Sequence, residues 1–418
     1  MARGRLTQSP VMGPFVPAQA RVDLGAVRAN VAALRERAGS AEVMAVVKAD
    51  AYGHGLLPCA RAAVAGGASW LGVALIEEAL ALRAAGLTEP RLLAWLFVPG
   101  DRLAEAVRAE VDLSVNSLWA LDEVAAAAAD AGSAARVHLK VDTGLSRNGA
   151  TVGDWPDLVE ASLARAAEGL VEPVGLWSHY AYADAPGHPT VVRQTRMFRE
   201  AVAVAESRGI RPQVRHLANS AATLTNPDAA FDLVRPGLAV YGLSPVPDVG
   251  GPQAYGLTPA MTLVGRLALV KRVPAGSGVS YGHTYTTDRD TTLGLLPLGY
   301  ADGIPRNASN LGPVLAAGRR LTIAGRVCMD QVMLDLGDDP AAAGDEVVLF
   351  GPGNAGEPTA QDWADATGTI SYEIVTRIGP RVPRVYVERG VGADLGRGVG
   401  ADVGAYPGAY VAAAEVAP

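Results

Sequence analysis

Short apolar runs alternate with alanine-rich stretches over roughly the first 250 residues, and this alternation constrains the fold more than any other feature of the chain. The apolar runs are rich in Val, Leu and Ile, as buried β-strands are. They cover residues 43–47, 70–74, 92–96, 111–115, 137–141, 174–178, 214–217 and 233–234. The stretches between them, among them 76–85, 101–110, 118–131 and 190–208, consist mainly of residues that favour helices.

Eight strands with helices between them predict an α/β protein with an N-terminal (β/α)8 barrel of the TIM type. A doubly wound open sheet is the competing architecture. It fits less well, because the strand count matches a closed barrel and no Gly-x-Gly-x-x-Gly turn is present in the first 250 residues.

The sequence pattern changes after about Gly251, where helical runs are replaced by Val-, Leu- and Thr-rich stretches separated by Gly and Pro. This pattern predicts a C-terminal, mostly-β domain. The stretch 390–408 is nearly repetitive and rich in glycine, which disfavours a packed element. We therefore expect a flexible lead over 1–17, the barrel over 18–250, the β domain over 251–388 and a flexible Gly/Ala-rich tail over 389–418.

The composition excludes several classes of protein. A net charge of −7 argues against nucleic-acid binding. No uninterrupted apolar run of about 18 residues predicts a membrane span, and the basic start of the chain is not followed by the apolar core of a secretory signal. The two cysteines, Cys59 and Cys328, are too few for a disulfide framework, so a cytoplasmic location is the expectation. The histidines show no metal-ligand spacing, and we assign no metal site.

Lys48 directly follows the first apolar run. A lysine held against an apolar strand is partly desolvated, which lowers its pKa and favours an amine that can form an imine. Taken alone, a strand-end lysine that reaches solvent is the commoner case. In a barrel, however, catalytic groups stand at the carboxyl ends of the strands, which makes Lys48 a candidate catalytic residue.

A series of short motifs places this lysine in a wider pattern. The stretch Ala45-Val-Val-Lys48-Ala-Asp-Ala-Tyr52-Gly-His-Gly resembles the pyridoxal-phosphate attachment motif of the alanine racemase family. Further stretches resemble motifs of that family and occur in the same order along the chain: 140–149, 178–184, 216–222, 234–242, 279–283, 298–303, 325–330 and 371–373. The resemblance runs from about Ala20 to Val387, and so many motifs in order make it specific.

The resemblance implies a fold-type III pyridoxal-phosphate enzyme, an isomerase that interconverts L-alanine and D-alanine and supplies D-alanine for peptidoglycan. The reaction would proceed through a pyridoxal-phosphate aldimine by a two-base mechanism. Lys48 would carry the cofactor and act as a base on one face of the substrate, and Tyr281 in the β domain would be the base on the other face. Because the reference pKa of tyrosine is near 10, nearby positive charge would have to help Tyr281 ionise.

Arg235 matches the position that faces the pyridine nitrogen in the family. Most pyridoxal enzymes place a carboxylate there, which keeps the ring nitrogen protonated and makes the ring a strong electron sink. A guanidinium does not give up its proton in practice, so the nitrogen would stay neutral and only accept a hydrogen bond. We expect a localised carbanion and fewer side reactions.

The other site residues also follow from the resemblance. His179 would contact the cofactor ring. The phosphate would be held by Tyr52, Ser220, Gly237, Leu238 and Tyr372. Arg147 and Met329 would bind the substrate carboxylate. In many relatives the lysine that matches Lys140 is carbamylated. The family also implies a head-to-tail homodimer, in which each β domain caps the partner's barrel. The expected substrate is a small amino acid. The sequence does not decide between alanine alone and alanine together with serine.

Three other functions compete with this interpretation. An amino-acid decarboxylase or aldolase shares the barrel and the lysine, but its partner at the ring nitrogen is commonly acidic, unlike Arg235. A regulatory protein that holds the cofactor without turnover would lack the β domain and its tyrosine. A sugar-phosphate barrel enzyme without cofactor would lack the absorption at roughly 400–430 nm that an imine of the cofactor gives.

Overall fold

A computed structural model of the chain describes residues 16–388. Almost all of the expected lead over 1–17 and the entire expected tail over 389–418 lie outside these residues. The strands are β1 Ala18–Asp23, β2 Glu42–Val46, β3 Trp70–Leu75, β4 Arg91–Leu96, β5 Val111–Val115, β6 Ala135–Lys140, β7 Val171–Trp177, β8 Val214–His216, β9 Leu233–Val234, β10 Met261–Arg266, β11 Leu269–Val273, β12 Gly278–Val279, β13 Tyr285–Thr286, β14 Thr291–Leu296, β15 Pro313–Ala316, β16 Arg319–Thr322, β17 Val332–Gly337, β18 Glu346–Phe350 and β19 Arg384–Val387. The helices are α1 Leu24–Ala38, α2 Lys48–Gly53, α3 Leu56–Ala65, α4 Ile76–Ala84, α5 Leu103–Arg108, α6 Leu118–Ala131, α7 Trp155–Ala167, α8 Pro189–Ser207, α9 Ser220–Thr225, α10 Ala360–Thr367 and α11 Ser371–Thr376.

Strands β2 to β9 form one eight-stranded parallel sheet in the order β8-β7-β6-β5-β4-β3-β2-β9. The sheet curls until its two edges meet. There, the Asp232 N–H donates to the Arg215 carbonyl at 3.1 Å, and the Arg235 N–H donates to the Ala218 carbonyl at 3.0 Å. The eight expected strands and the α/β barrel are therefore confirmed. This arrangement places the carboxyl ends of all eight strands around one mouth.

The interior of the barrel is only partly apolar. A separate apolar cluster joins residues from five strands: Met44, Trp70, Leu93, Val214 and Leu233. Between them stand fully buried polar side chains, including Asp112, His138 and His216. Barrel interiors are usually filled by branched apolar residues. The polar side chains here therefore call for hydrogen-bond partners inside the barrel.

The C-terminal part is mostly β, as expected. Its main sheet has six strands in the order β16-β15-β18-β10-β1-β19, and smaller sheets join β11-β14-β17 and β12-β13. The range expected for the barrel, 18–250, nonetheless contributes its first strand to this second sheet. Strand β1 pairs antiparallel with β10, Ala18 opposite Gly265, and parallel with β19, Ala20 opposite Arg384. Its partners lie far along the chain, so local pattern alone does not reveal the pairing.

Two helices also depart from the expectation that helical runs end after Gly251. Helix α10 begins at a reciprocal cap, in which the Asp362 N–H donates to Thr359 Oγ1 and the Thr359 N–H donates to Asp362 Oδ2. Helix α11 follows it and packs against α2 at the barrel mouth. The two helices thereby bring Tyr372 to the site. Within residues 16–388, no helix has the length and apolar character needed to cross a membrane.

Candidate active site

Lys48 stands at the mouth of the barrel, two residues after the end of β2. Burial lowers the pKa of its amine, the charge of Arg147 lowers it further, and Glu78 opposes the shift. The ammonium nitrogen lies 5.8 Å from the centre of the Trp95 ring. A lowered pKa raises the neutral fraction of the amine, which is the form that attacks a carbonyl carbon.

The four residues after Lys48 form a left-handed turn, with φ between 52° and 55° from Ala49 to Tyr52. This conformation costs L-residues about 1–2 kcal/mol each, so surrounding contacts must hold it. The Ala51 N–H donates to the Val47 carbonyl at 2.8 Å, and the Ala49 N–H donates to Glu78 Oε1 at 2.6 Å. The turn directs Tyr52 into the barrel mouth, where it is buried. Such strain is commonly kept at functional sites.

The residues expected around a phosphate lie together in the structure. Ser220 opens α9, and its Oγ accepts hydrogen bonds from the Gly237 N–H at 2.7 Å and the Ala239 N–H at 3.3 Å. Leu238 is buried and begins a short 3₁₀ helix, Leu238–Tyr241. The rings of Tyr52 and Tyr372 lie 6.2 Å apart. Hydroxyls and backbone N–H groups are the groups that commonly bind anions in proteins, and here the N–H groups of Gly237 and Ala239 donate to Ser220.

Gly237 is required by close packing, because a Cβ there would overlap Tyr52 Oη. We expect Gly237→Ala to lower the free energy of unfolding by about 1–3 kcal/mol, the usual cost of overpacking. Urea titration of the protein without added ligand measures the free energy of unfolding. Gly187→Ala is the matched control, because a Cβ at Gly187 meets no atom within 4 Å. Equal stability of the two variants would show that Tyr52 does not pack against Gly237.

Arg235 lies just beyond β9 with only 4% of its surface exposed. Its Nη2 donates to the Ser178 carbonyl at 2.8 Å and the Leu217 carbonyl at 3.2 Å. Nη2 also lies 3.2 Å from His179 Nδ1, and Nη1 lies 3.1 Å from His216 Nδ1. Among residues 16–388, no carboxylate pairs with this guanidinium and no acceptor meets its Nε–H. Arg235 therefore keeps a free donor at the barrel mouth.

Positive charge dominates the mouth. Burial lowers the pKa of His179 well below its usual value, and four cations lower it further: Arg235, Arg147, Lys140 and Lys48. Burial and the charges of Arg235 and Arg147 lower the pKa of Lys140 to about 7. Asp142 does not balance them fully, since its Oδ1 already accepts from three backbone N–H groups, at 144, 145 and 146. Such a site favours a ligand with several negative charges.

The two site residues expected from the β domain lie on its surface, apart from this cluster. Tyr281 is 71% exposed and Met329 is 54% exposed. Tyr281 lines an open cavity of about 480 Å³ together with Cys328, Gln331 and other β-domain residues. In the described part of the chain, no hydrogen bond or ring contact joins Tyr281 to a residue of the barrel mouth. One chain alone therefore does not bring Tyr281 and Lys48 together.

Three functional candidates were missed by the sequence analysis: Asp112, His138 and His216 connect to Arg235 through hydrogen bonds inside the barrel. Metal-ligand spacing, the criterion applied to the histidines of the sequence, does not detect hydrogen bonds of this kind. A usable signal is the alternation in β6, where His138 and Lys140 share the face opposite Val137 and Leu139. No group of three or more His, Cys, Asp or Glu side chains within residues 16–388 is arranged to hold a metal ion.

Comparisons with known proteins agree with this geometry. The family model described as alanine racemase, N-terminal domain, matches residues 22–245, and that described as alanine racemase, C-terminal domain, matches residues 260–386. An alanine racemase of Frankia casuarinae is 64% identical over 366 residues, which is 88% of this chain and 95% of that protein.

Solved structures extend the likeness to three dimensions. The structure of an alanine racemase from Streptomyces coelicolor is 62% identical with a TM-score of 0.88, and the match covers 89% of this chain and 98% of that one. An alanine racemase from D-cycloserine-producing Streptomyces lavendulae is 58% identical with a TM-score of 0.89, with 90% and 98% covered.

Proposed function

This chain belongs to the alanine racemase family, and we propose that it interconverts L-alanine and D-alanine with pyridoxal phosphate bound at the barrel mouth and with Lys48 and Tyr281 as its two bases. It is accordingly an isomerase, and its product D-alanine serves peptidoglycan synthesis. The observation that carries the proposal is the buried Arg235, which lacks a carboxylate partner among the described residues and stands with Lys48 and Lys140 at one mouth.

The residues at the mouth fit this cofactor. The absence of a side chain at Gly237 lets Tyr52 Oη approach the backbone beside Ser220 Oγ, and these two hydroxyls suit the phosphate. The free Nε–H of Arg235 suits an acceptor such as the unprotonated ring nitrogen. When bound, pyridoxal phosphate withdraws electron density from the substrate and makes its Cα proton removable.

Arg235 fixes the strength of that effect. A guanidinium only donates hydrogen bonds, so it leaves the ring nitrogen neutral and limits how far negative charge can spread into the ring. A carboxylate at the same place would keep the ring nitrogen protonated and let negative charge spread further into the ring. This difference favours racemisation over decarboxylation, and it favours returning the proton to Cα over transferring it elsewhere.

Lys48 and Tyr281 carry the protons. Burial lowers the pKa of the Lys48 amine, which makes the amine readier to exchange a proton on the barrel side of the substrate. Tyr281 must approach from the opposite side. Because Tyr281 and Met329 are exposed on their own β domain, we propose a head-to-tail homodimer in which they enter the mouth of the partner's barrel. Arg147 would hold the substrate carboxylate there, with Met329.

His179 and Lys140 complete the proposed site. His179 would contact the cofactor ring, where the neighbouring cations keep its imidazole neutral. Lys140 lies with its ammonium nitrogen 4.0 Å from the centre of the Trp177 ring. Its pKa of about 7 leaves a large share of the amine neutral near pH 7, which is the form that takes up carbon dioxide to give a carbamate.

The experiment that tests the function follows chirality and absorbance together, with purified protein and L-alanine, D-alanine or L-serine. We expect either alanine enantiomer to become racemic while absorption in the region of roughly 400–430 nm persists. Release of carbon dioxide would favour the decarboxylase, and binding without turnover would favour the regulatory protein. Loss of chirality with L-serine as well would place serine among the substrates.

Tyr281→Phe tests the second base. We expect it to retain the cofactor absorbance, because Tyr281 is not among the residues proposed to hold the cofactor, and to slow racemisation by about 10²–10⁴-fold, the usual contribution of a positioned general base. Both directions must slow, because in each direction one base removes the Cα proton and the protonated form of the other base delivers a proton to the opposite face. Steady-state rates from L-alanine and from D-alanine give the two values. Tyr255→Phe, in the 3₁₀ helix Pro252–Tyr255, is the control, and an unchanged rate for Tyr281→Phe would reject Tyr281 as the base.

A further inference from the structure

A line of buried polar side chains runs through the barrel interior and ends at Arg235. It begins at Asp112 on β5, whose Oδ2 lies 3.1 Å from His138 Nε2 on β6. His138 Nδ1 lies 2.8 Å from His216 Nε2 on β8, and His216 Nδ1 lies 3.1 Å from Arg235 Nη1. The first three residues are fully buried.

Both ends of this line fix the direction of its hydrogen bonds. Burial alone would raise the pKa of Asp112, but the hydrogen bond from His138 and the charges of Arg91 and Arg136 oppose burial, and the pKa lies below its usual value. Asp112 is therefore a carboxylate and can only accept, while Arg235 at the other end can only donate.

One arrangement of protons satisfies every contact between these ends. Burial lowers the pKa of both histidines, so each imidazole is neutral and carries one proton. His138 must donate from Nε2 to Asp112 and accept at Nδ1. His216 must then donate from Nε2 to His138 and accept at Nδ1 from Arg235. Each histidine thus carries its proton on Nε2, and neither could adopt the other tautomer without losing a bond.

The surroundings hold the histidines in this line. Gly175 on β7 makes room for His138, since a Cβ there would overlap the imidazole. The Trp177 ring stacks on His216 with centroids 5.5 Å apart and an interplanar angle of 11°. At the far end, Arg91 Nη2 and Arg136 Nε donate to Asp112 at 2.5 Å and 2.6 Å. A buried polar network of this kind is costly unless every member is satisfied.

We propose that Asp112 and His138 are positioning residues for racemisation, which act through His216 to hold the Arg235 guanidinium in place at the barrel mouth. The inference rests on the proposed role of Arg235 toward the ring nitrogen. Asp112 fixes the tautomer of His138, His138 fixes that of His216, and His216 presents a lone pair that holds Nη1 of Arg235. The free Nε–H of Arg235 is thereby kept in position to donate to the ring nitrogen of the cofactor.

The tautomers can be observed directly in the unmodified chain without cofactor. The chain has six histidines, so ¹⁵N-histidine labelling and long-range ¹H–¹⁵N correlation spectra give a tractable set of signals. We expect two neutral imidazoles protonated on Nε2 that are assigned to His138 and His216. A proton on Nδ1 of either ring, or a doubly protonated ring, would contradict the proposal. This readout needs neither turnover nor cofactor, so it fails independently of the proposed function.

Asp112→Asn tests the consequence for Arg235. An amide can donate as well as accept, so it no longer selects one tautomer of His138. We expect the ¹⁵N signals of His216 to shift and kcat to fall about 10–100-fold, as for other residues that orient a catalytic group. KM for alanine should change little, because the hydrogen-bond partners of Asp112 are Arg91, Arg136 and His138, none of which is proposed to bind the substrate carboxylate.

Asp232→Asn is the matched control. Asp232 also accepts from an arginine, at 2.7 Å from Arg215 Nε, but it contacts neither histidine. We expect it to leave the His216 signals and kcat unchanged. Wild-type kcat or unchanged His216 signals in Asp112→Asn would overturn the proposal, and equal effects of the two variants would show a merely structural role.

Discussion

Lys48→Ala is expected to lose racemisation altogether, together with the absorption in the region of roughly 400–430 nm. The chain has only three lysines, Lys48, Lys140 and Lys271. Lys140 is buried over the Trp177 ring, and Lys271 lies on β11 of the other domain. Because the Lys140 amine is held over Trp177 and Lys271 lies on the β domain, we expect neither to take the place of Lys48 in holding the cofactor or in moving the proton.

Borohydride reduction followed by peptide mapping measures the attachment point in the unaltered enzyme. The label is expected on the Lys48 peptide, and with three lysines in the chain the assignment is unambiguous. Lys271→Ala is expected to keep the absorption band. A label on Lys140 or Lys271 would reject the proposed cofactor site.

Arg235→Glu is the second change with a very large expected effect. A glutamic acid at the ring nitrogen would keep that nitrogen protonated and make the ring a stronger electron sink. Racemisation should slow by several orders of magnitude, because Lys48 and Tyr281 are matched to the weaker sink. The carboxylate would also face acceptors that Arg235 now satisfies, the Ser178 and Leu217 carbonyls.

Transamination distinguishes two reasons why Arg235→Glu could be slow, namely lost packing and a stronger electron sink. Loss of packing alone lowers every rate, whereas a stronger sink raises transamination, so pyruvate released per racemisation event is the measurement. Arg235→Lys is the control, since it keeps the positive charge but loses the planar fork. It should slow racemisation without raising the pyruvate ratio. Normal racemisation by Arg235→Glu without pyruvate would show that Arg235 does not face the ring nitrogen, and the case against the decarboxylase would fall with it.

The barrel could be predicted because its signals are local. Each strand is a short apolar run, each helix a stretch of helix-forming residues, and the order of the elements follows the chain. Strand β1 could not be assigned in this way, because the residues that fix its place lie in β10 and β19. Helices α10 and α11 were missed because they are short, with only eight and six residues.

The sequence also predicts one part of the candidate site and not the other. Lys48, Tyr52, Ser220, Arg235 and Gly237 stand in motifs and could be named from the sequence, and the structure places them around one mouth. The left-handed turn after Lys48 could not be foreseen, because none of its four residues is a glycine. The line from Asp112 to His216 depends on which side chains face each other across the barrel, and that is set by the register of β5, β6 and β8.

Exchange of the Cα proton with deuterated solvent tests the two-base account most directly. In the unaltered enzyme, both enantiomers of alanine should exchange. In Tyr281→Phe, exchange should survive only for the enantiomer whose Cα proton faces Lys48, because that base is intact. Exchange of both enantiomers at the rates of the unaltered enzyme would contradict the account, since the second base would then be a residue other than Tyr281.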